Sequence, residues 1–188
     1  MGSGKTTVSD ILVNQGIPVW DADKSVHKLY RYGGLGYQAL TTRYAKLENN
    51  IAIDRKQLTT MIKKGEITLQ LIEELIHPLL QIERQKFIKT KKTEAIIAFD
   101  IPLLFQTNAQ RWLNSVLVVS CSKATQMNRL LKRPNMSQDK IDVLLDRQKR
   151  DLHLMKKHDF SINSEKEFNL MKKDVISVIR IIREKINA

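Results

Sequence analysis

Cysteine occurs once in the 188 residues, at Cys121, so no internal disulfide can hold this fold. Cys121 follows the apolar run Val116 to Val119 and reads as a packing thiol in a reducing cytoplasm. No apolar run approaches the roughly 18 residues that a membrane-spanning helix needs, so no membrane partner is expected. Met1 leads straight into glycine, lysine and threonine, which does not read as a secretory signal. Aromatic residues make up only 6% of the chain, few for a platform on which bases stack. Repeats and low-complexity linkers are lacking too, and residues 1–188 are expected to form a single domain.

Acidic residues are outnumbered, 20 against 32 Lys and Arg, which leaves a net charge of +12. Such an excess suits nucleic acid, anionic lipid or phosphate-rich small ligands. The lysines come as scattered pairs (Lys63-Lys64, Lys91-Lys92, Lys156-Lys157, Lys172-Lys173) along apparent helices. Scattered pairs read as solvated faces, so a nucleic-acid partner is not expected. Hydrophobic residues at 42% and charged residues at 28% fit an ordinary globular protein and exclude wholesale disorder.

Helical periodicity marks Lys5 to Gln15, with Gly16 as a C-terminal cap. Ile17 to Trp20 reads as a short buried strand, and a helix is expected from Asp23, which can cap it. Further helices are expected at 37–47, 55–63 and 69–89, the last broken or kinked by Pro78. Ala95 to Phe99 and Val116 to Val119 read as strands. Helices at 123–132 and 138–151, separated by a loop around Pro134 and Asn135, lead to a weak strand at 160–162 and a final helix at 166–186. Strands alternating with helices predict an α/β fold with a parallel sheet flanked by helices. The helical block at about 24–93 reads as an insertion, a lid or acceptor-binding subdomain.

The opening run Gly2-Ser3-Gly4-Lys5-Thr6-Thr7 carries the second half of the phosphate-binding motif G-x-x-x-x-G-K-[ST]. Glycines let successive N–H groups curl around phosphates, and the following helix aims its positive end at them. Lys5 would bridge the β- and γ-phosphates of ATP, and the Thr6 hydroxyl would ligate Mg²⁺. The motif's first glycine and the strand before it would precede Met1. Two expectations follow: the natural start lies upstream, or this is a truncated copy of weak or no activity. The plainer alternative is a flexible terminus rich in small residues.

Several landmarks in order resemble the dephospho-CoA kinase family, P-loop small-molecule kinases, over essentially the full length. They are Gly16-Ile17-Pro18-Val19-Trp20-Asp21-Ala22-Asp23, Leu75-Ile76-His77-Pro78-Leu79-Leu80 and Phe99-Asp100-Ile101-Pro102-Leu103-Leu104-Phe105. Val116 to Val119, Gln126, Arg129, Arg133, Gln148, Asp159 and Asn163 keep the spacing of the family's C-terminal half.

The resemblance implies a P-loop nucleoside-kinase-like fold with a lid at about 129–150. The implied reaction is ATP-dependent phosphorylation of the ribose 3′-hydroxyl of dephospho-CoA, the last step of CoA biosynthesis, with Mg²⁺ and no covalent intermediate. Asp23 becomes the base for that hydroxyl, or else a helix cap; Asp21 helps order Mg²⁺ or the acceptor, or forms a turn. Asp100 closes the third strand of the family pattern and would hold magnesium through water, unless it is an ordinary strand-end turn. His77, Pro102 and Leu103 fall in the acceptor pocket, although a lone helical histidine also packs or caps. Arg133 would stabilise charge on the transferring phosphate. Arg129 would contact ATP or remain a solvated charge, and Asn163 would read the adenine edge or form a turn.

Three positions depart from the pattern. Gln106 stands where glutamate is usual, Ser120 where aspartate often ends a strand, and His158 where alanine precedes Asp159. These departures keep two alternatives open beside the kinase reading: a P-loop kinase of another small acceptor, and a noncatalytic remnant or basic binding protein.

Overall fold

The structure, a computed structural model, describes residues 2–102, 104–105, 107–134, 136–138, 141–142, 145 and 158–188. The chain divides into two compact units, residues 1–19 with 100–188, and residues 20–99.

In the first unit, helix α1 (Lys5–Asn14) follows the glycine-rich opening. It ends at Gly16, whose φ of 78° is left-handed backbone that only glycine adopts without strain. There Gly16 N–H donates to Val13 O at 2.9 Å and Ile17 N–H to Leu12 O at 3.0 Å, satisfying carbonyls that the helix end leaves without partners. Strands β3 (Leu117–Ser120) and β4 (Phe160–Asn163) pair in parallel, Leu117 opposite Phe160 and Ser120 opposite Asn163. Asp159 sets that register: its carboxylate accepts from Val116 N–H at 2.7 Å while its own N–H donates to Val116 O at 3.0 Å. Helix α6 (Lys123–Leu131) lies between these strands in sequence and is capped by the Ser122 hydroxyl. The C-terminal helix α7 (Phe168–Asn187) buries Met171, Val175 and Ile179, every fourth residue, as one apolar stripe. It packs against α1, whose Val8 and Ile11 are buried.

The second unit is helical apart from its strand ends. Helices α2 (Ala22–Leu29), α3 (Leu35–Arg43), α4 (Arg55–Lys63) and α5 (Leu69–Thr90) enclose a core in which Leu40 and Leu47 are fully buried. Asp54 and Thr68 cap α4 and α5. Pro78 does not end α5, which runs on as one helix; contacts of Ile76, Leu79 and Leu80 with the core hold the turns around it. Strand β1 (Val19–Asp21) pairs with β2 (Ala98–Asp100), and rings of Trp20 and Phe87 pack on Phe99 at 6.0 and 5.8 Å between centroids. The described strands thus form two two-stranded ladders, β1 with β2 and β3 with β4. Leu103, Gln106, Asn135 and most of the helix expected at 138–151 lie outside the described residues.

Candidate functional site

Gly4 takes the cap position of α1 with φ 90° and ψ 10°, so no side chain occupies the positive end of that helix. A side chain at Gly4 would meet two obstacles. The left-handed backbone resists it, and its Cβ would stand 2.6 Å from Ser164 Cβ. Gly2 is buried, Ser3 and Gly4 are half-buried, and Thr6 is exposed.

Lys5, in the first turn of α1, forms an ion pair with Asp100 at the end of β2. The Asp100 side chain is only 9% exposed, and its second oxygen accepts from Ser9 Oγ at 3.0 Å. Asp100 is thus more than a strand-end turn: α1 supplies its ammonium and its hydroxyl from one face, at Lys5 and Ser9. Ser9 carried no signal in the sequence, because its partner is 91 residues away.

Beside the loop stands Ser164, a buried polar residue just beyond β4. Its Oγ donates to Ser3 O at 2.6 Å and accepts from Arg129 Nη1 at 2.7 Å, while Arg129 Nη2 donates to Ser164 O at 2.7 Å. Arg129 is therefore not a solvated charge. Its neighbour in the motif, Arg133, lies past the end of α6 and is exposed. Asn163 is the exposed last residue of β4, and its Oδ1 accepts from Glu165 N–H of the turn that follows at 2.9 Å. Glu165 in turn accepts from Ser122 N–H at 3.0 Å, from Ser122 Oγ at 2.6 Å and from Thr125 Oγ1. Those donors hold its carboxyl below the usual glutamate range. Cys121 is half-buried, with Sγ 3.8 Å from Gly2 O; burial pushes its thiol up, outweighing the nearby Arg129 cation. Neither Ser164 nor Glu165 was visible as a site residue in the sequence, where they read only as polar residues after a strand.

In the helical unit, Asp21 rather than Asp23 caps α2, accepting from Lys24 N–H at 2.9 Å. The expectation that Asp23 begins and caps the helix is corrected: the helix starts at Ala22, and only Asp21 has the extended backbone (φ −106°, ψ 116°) of a cap. Asp23 sits exposed in the first turn. His77 is exposed midway along α5. Pro102 lies two residues past β2 in the first unit, and Leu103 is outside the described residues.

Hard oxygen donors suit Mg²⁺, which takes one or two protein ligands together with substrate phosphates. Thr6 and Asp100 are donors of that kind, both placed at the phosphate loop, so the residues present fit the ion.

The family model described as dephospho-CoA kinase matches residues 1–169. A curated dephospho-CoA kinase of Bartonella henselae is 33% identical over 179 residues, covering 94% of this chain and 91% of the relative. One from Agrobacterium fabrum is 32% identical over 166 residues, 87% of this chain and 84% of its own. The solved dephospho-CoA kinase of Campylobacter jejuni superposes with a TM-score of 0.61 at 24% identity, covering 95% of this chain and 91% of its own, a likeness of fold. With a glycine loop, a lysine and a strand-end carboxylate joined in one place, and a family match running through them, this chain belongs to the dephospho-CoA kinase family of transferases.

Proposed function

We propose that this chain transfers the γ-phosphoryl group of ATP to the ribose 3′-hydroxyl of dephospho-CoA, giving ADP and CoA in the cytoplasm. The observation that carries the reading is the Lys5–Asp100 pair at the open end of α1, beside a loop kept left-handed at Gly4. Asp100 orients the ammonium, and Lys5 meets the β- and γ-phosphates that Gly2, Ser3, Gly4, Thr6 and Thr7 enclose.

In this reading Asp23 takes the proton of the acceptor hydroxyl as its oxygen bonds to Pγ and the bond from Pγ to the β-phosphate oxygen breaks. Asp23 suits the task because Asp21 does the capping, which leaves the Asp23 carboxylate exposed for another partner. Mg²⁺, held by Thr6 and by Asp100 through water, would neutralise charge on the phosphates. Exposed Arg133 opposes charge on the transferring group, and Arg129 serves the ATP side. Asn163 reads the adenine edge through its amide nitrogen, since its oxygen is taken by Glu165 N–H. Asp21, His77, Pro102 and Leu103 are assigned to the acceptor. Residues 1–188 act as one kinase domain, with about 24–93 as the acceptor-side insertion and about 129–150 as the lid.

A coupled ADP-release assay with and without dephospho-CoA tests the reading, with mass spectrometry of the product. ADP release that needs dephospho-CoA, and a phosphate on the ribose 3′ position, are expected. Equal ADP release without acceptor, or preference for a nucleoside acceptor, would overturn it.

A further inference from the structure

The phosphate loop is gripped from behind at two consecutive carbonyls. Ser3 O accepts from Ser164 Oγ at 2.6 Å, and Gly2 O faces Arg129 Nη1 at 3.5 Å and Cys121 Sγ at 3.8 Å. In a trans peptide the C=O of one residue and the N–H of the next point in opposite directions across a rigid plane. Tying the Gly2 and Ser3 oxygens toward Ser164 and α6 therefore turns the N–H groups of Ser3 and Gly4 the other way.

The grip is itself held. Arg129 clamps Ser164 with two bonds of 2.7 Å, to its hydroxyl and to its carbonyl, and the single Ser164 O–H is spent on Ser3 O. The next residue, Glu165, anchors the turn to the start of α6 through Ser122 and Thr125. The Ser164 backbone N–H donates to Ser120 O at 2.9 Å, joining the turn to β3. Both ends of α6 thus fix one short turn, and that turn fixes the loop.

We propose that Ser164 and Arg129 are positioning residues that preset the peptide planes of the phosphate loop, so that the N–H groups of Ser3 and Gly4 face the phosphates of ATP before it arrives. The proposal rests on the kinase reading and adds a task to it. Loop order set in advance removes an entropic cost from phosphate binding. It does nothing for the acceptor.

That asymmetry supplies the test. Equilibrium binding of MgATP, inorganic tripolyphosphate and dephospho-CoA would be measured by calorimetry for the parent, Ser164→Ala and Arg129→Lys, with thermal melts of each. Loss of a buried hydrogen bond to the loop predicts about tenfold weaker MgATP and tripolyphosphate binding. Dephospho-CoA binding should hold steady, and in turnover KM for ATP should rise while KM for the acceptor does not. Arg129→Lys keeps the charge but not the two-pronged clamp, and should show the same selective loss. If the parent binds both phosphate ligands and the two variants bind them equally well, the clasp is disproved while the kinase reading stands. Loss of all three ligands together with a collapse in melting temperature in both variants would make the residues merely structural and would also overturn it. A parent that binds neither phosphate ligand removes the kinase reading and the clasp with it.

Discussion

Asp100 at the end of β2 and Lys5 in the first turn of α1, 95 residues apart in the chain, form an ion pair whose carboxylate is almost wholly buried. Removing one partner of a buried pair leaves an uncompensated charge, which costs roughly 3–5 kcal/mol where both are fully buried. Lys5 is 39% exposed, so water screens the loss, and Lys5→Ala should cost about 1–2 kcal/mol. Phosphoryl transfer should fall at least 100-fold. The double variant Lys5→Met with Asp100→Leu should melt higher than Lys5→Ala while remaining inactive. A chemical denaturation cycle measures this, and additive losses would show that the pair is not coupled.

Asp21 and Asp23 should separate cleanly. Asp21→Ala removes the cap of α2 and should cost about 1 kcal/mol. Asp23→Asn should melt like the parent yet lose roughly 100- to 10,000-fold in kcat. If Asp23→Asn turns over normally, the base lies elsewhere.

Gly4→Ala should destabilise the first unit by roughly 1–3 kcal/mol from backbone strain alone. Its Cβ also meets Ser164 Cβ at 2.6 Å, so Gly4→Ala should cost less on a Ser164→Gly background than in the parent, by the steric part alone, although Ser164→Gly carries its own loss of the bonds to Ser3 and Arg129. Thermal melts of the single and double variants give the division; an equal cost on both backgrounds would mean the contact relaxes without cost.

The depressed Glu165 carboxyl predicts a pH dependence. Its bonds to Ser122 and Thr125 favour the charged form in the folded state. The stability they contribute is present above the ordinary glutamate range and lost as pH falls through the lower folded value. Melting temperature should drop below about pH 4, and Glu165→Gln should flatten that limb. Superimposable acid limbs would remove Glu165 from the account.

The helix at 55–63, and the one expected at 123–132 and found at 123–131, were legible because periodicity and capping residues lie within a few positions of one another. Strand ends shifted, with β2 at 98–100 instead of 95–99, since pairing with β1 decides which residues enter the ladder. Two aspartates flank the start of α2 in similar chemistry, and only the backbone angles settle which one caps it.

By itself the amino-acid order determined the glycine loop, its lysine and hydroxyl, the alternation of strand and helix, and the family landmarks. Each of these is a property of neighbouring residues. The tertiary structure alone decided that Asp100 answers Lys5 and Ser9, and that Ser164 holds Ser3 across 161 positions. Hydrogen bonds and buried ion pairs act over a few ångströms, and no local pattern records which distant segments folding will bring within that reach.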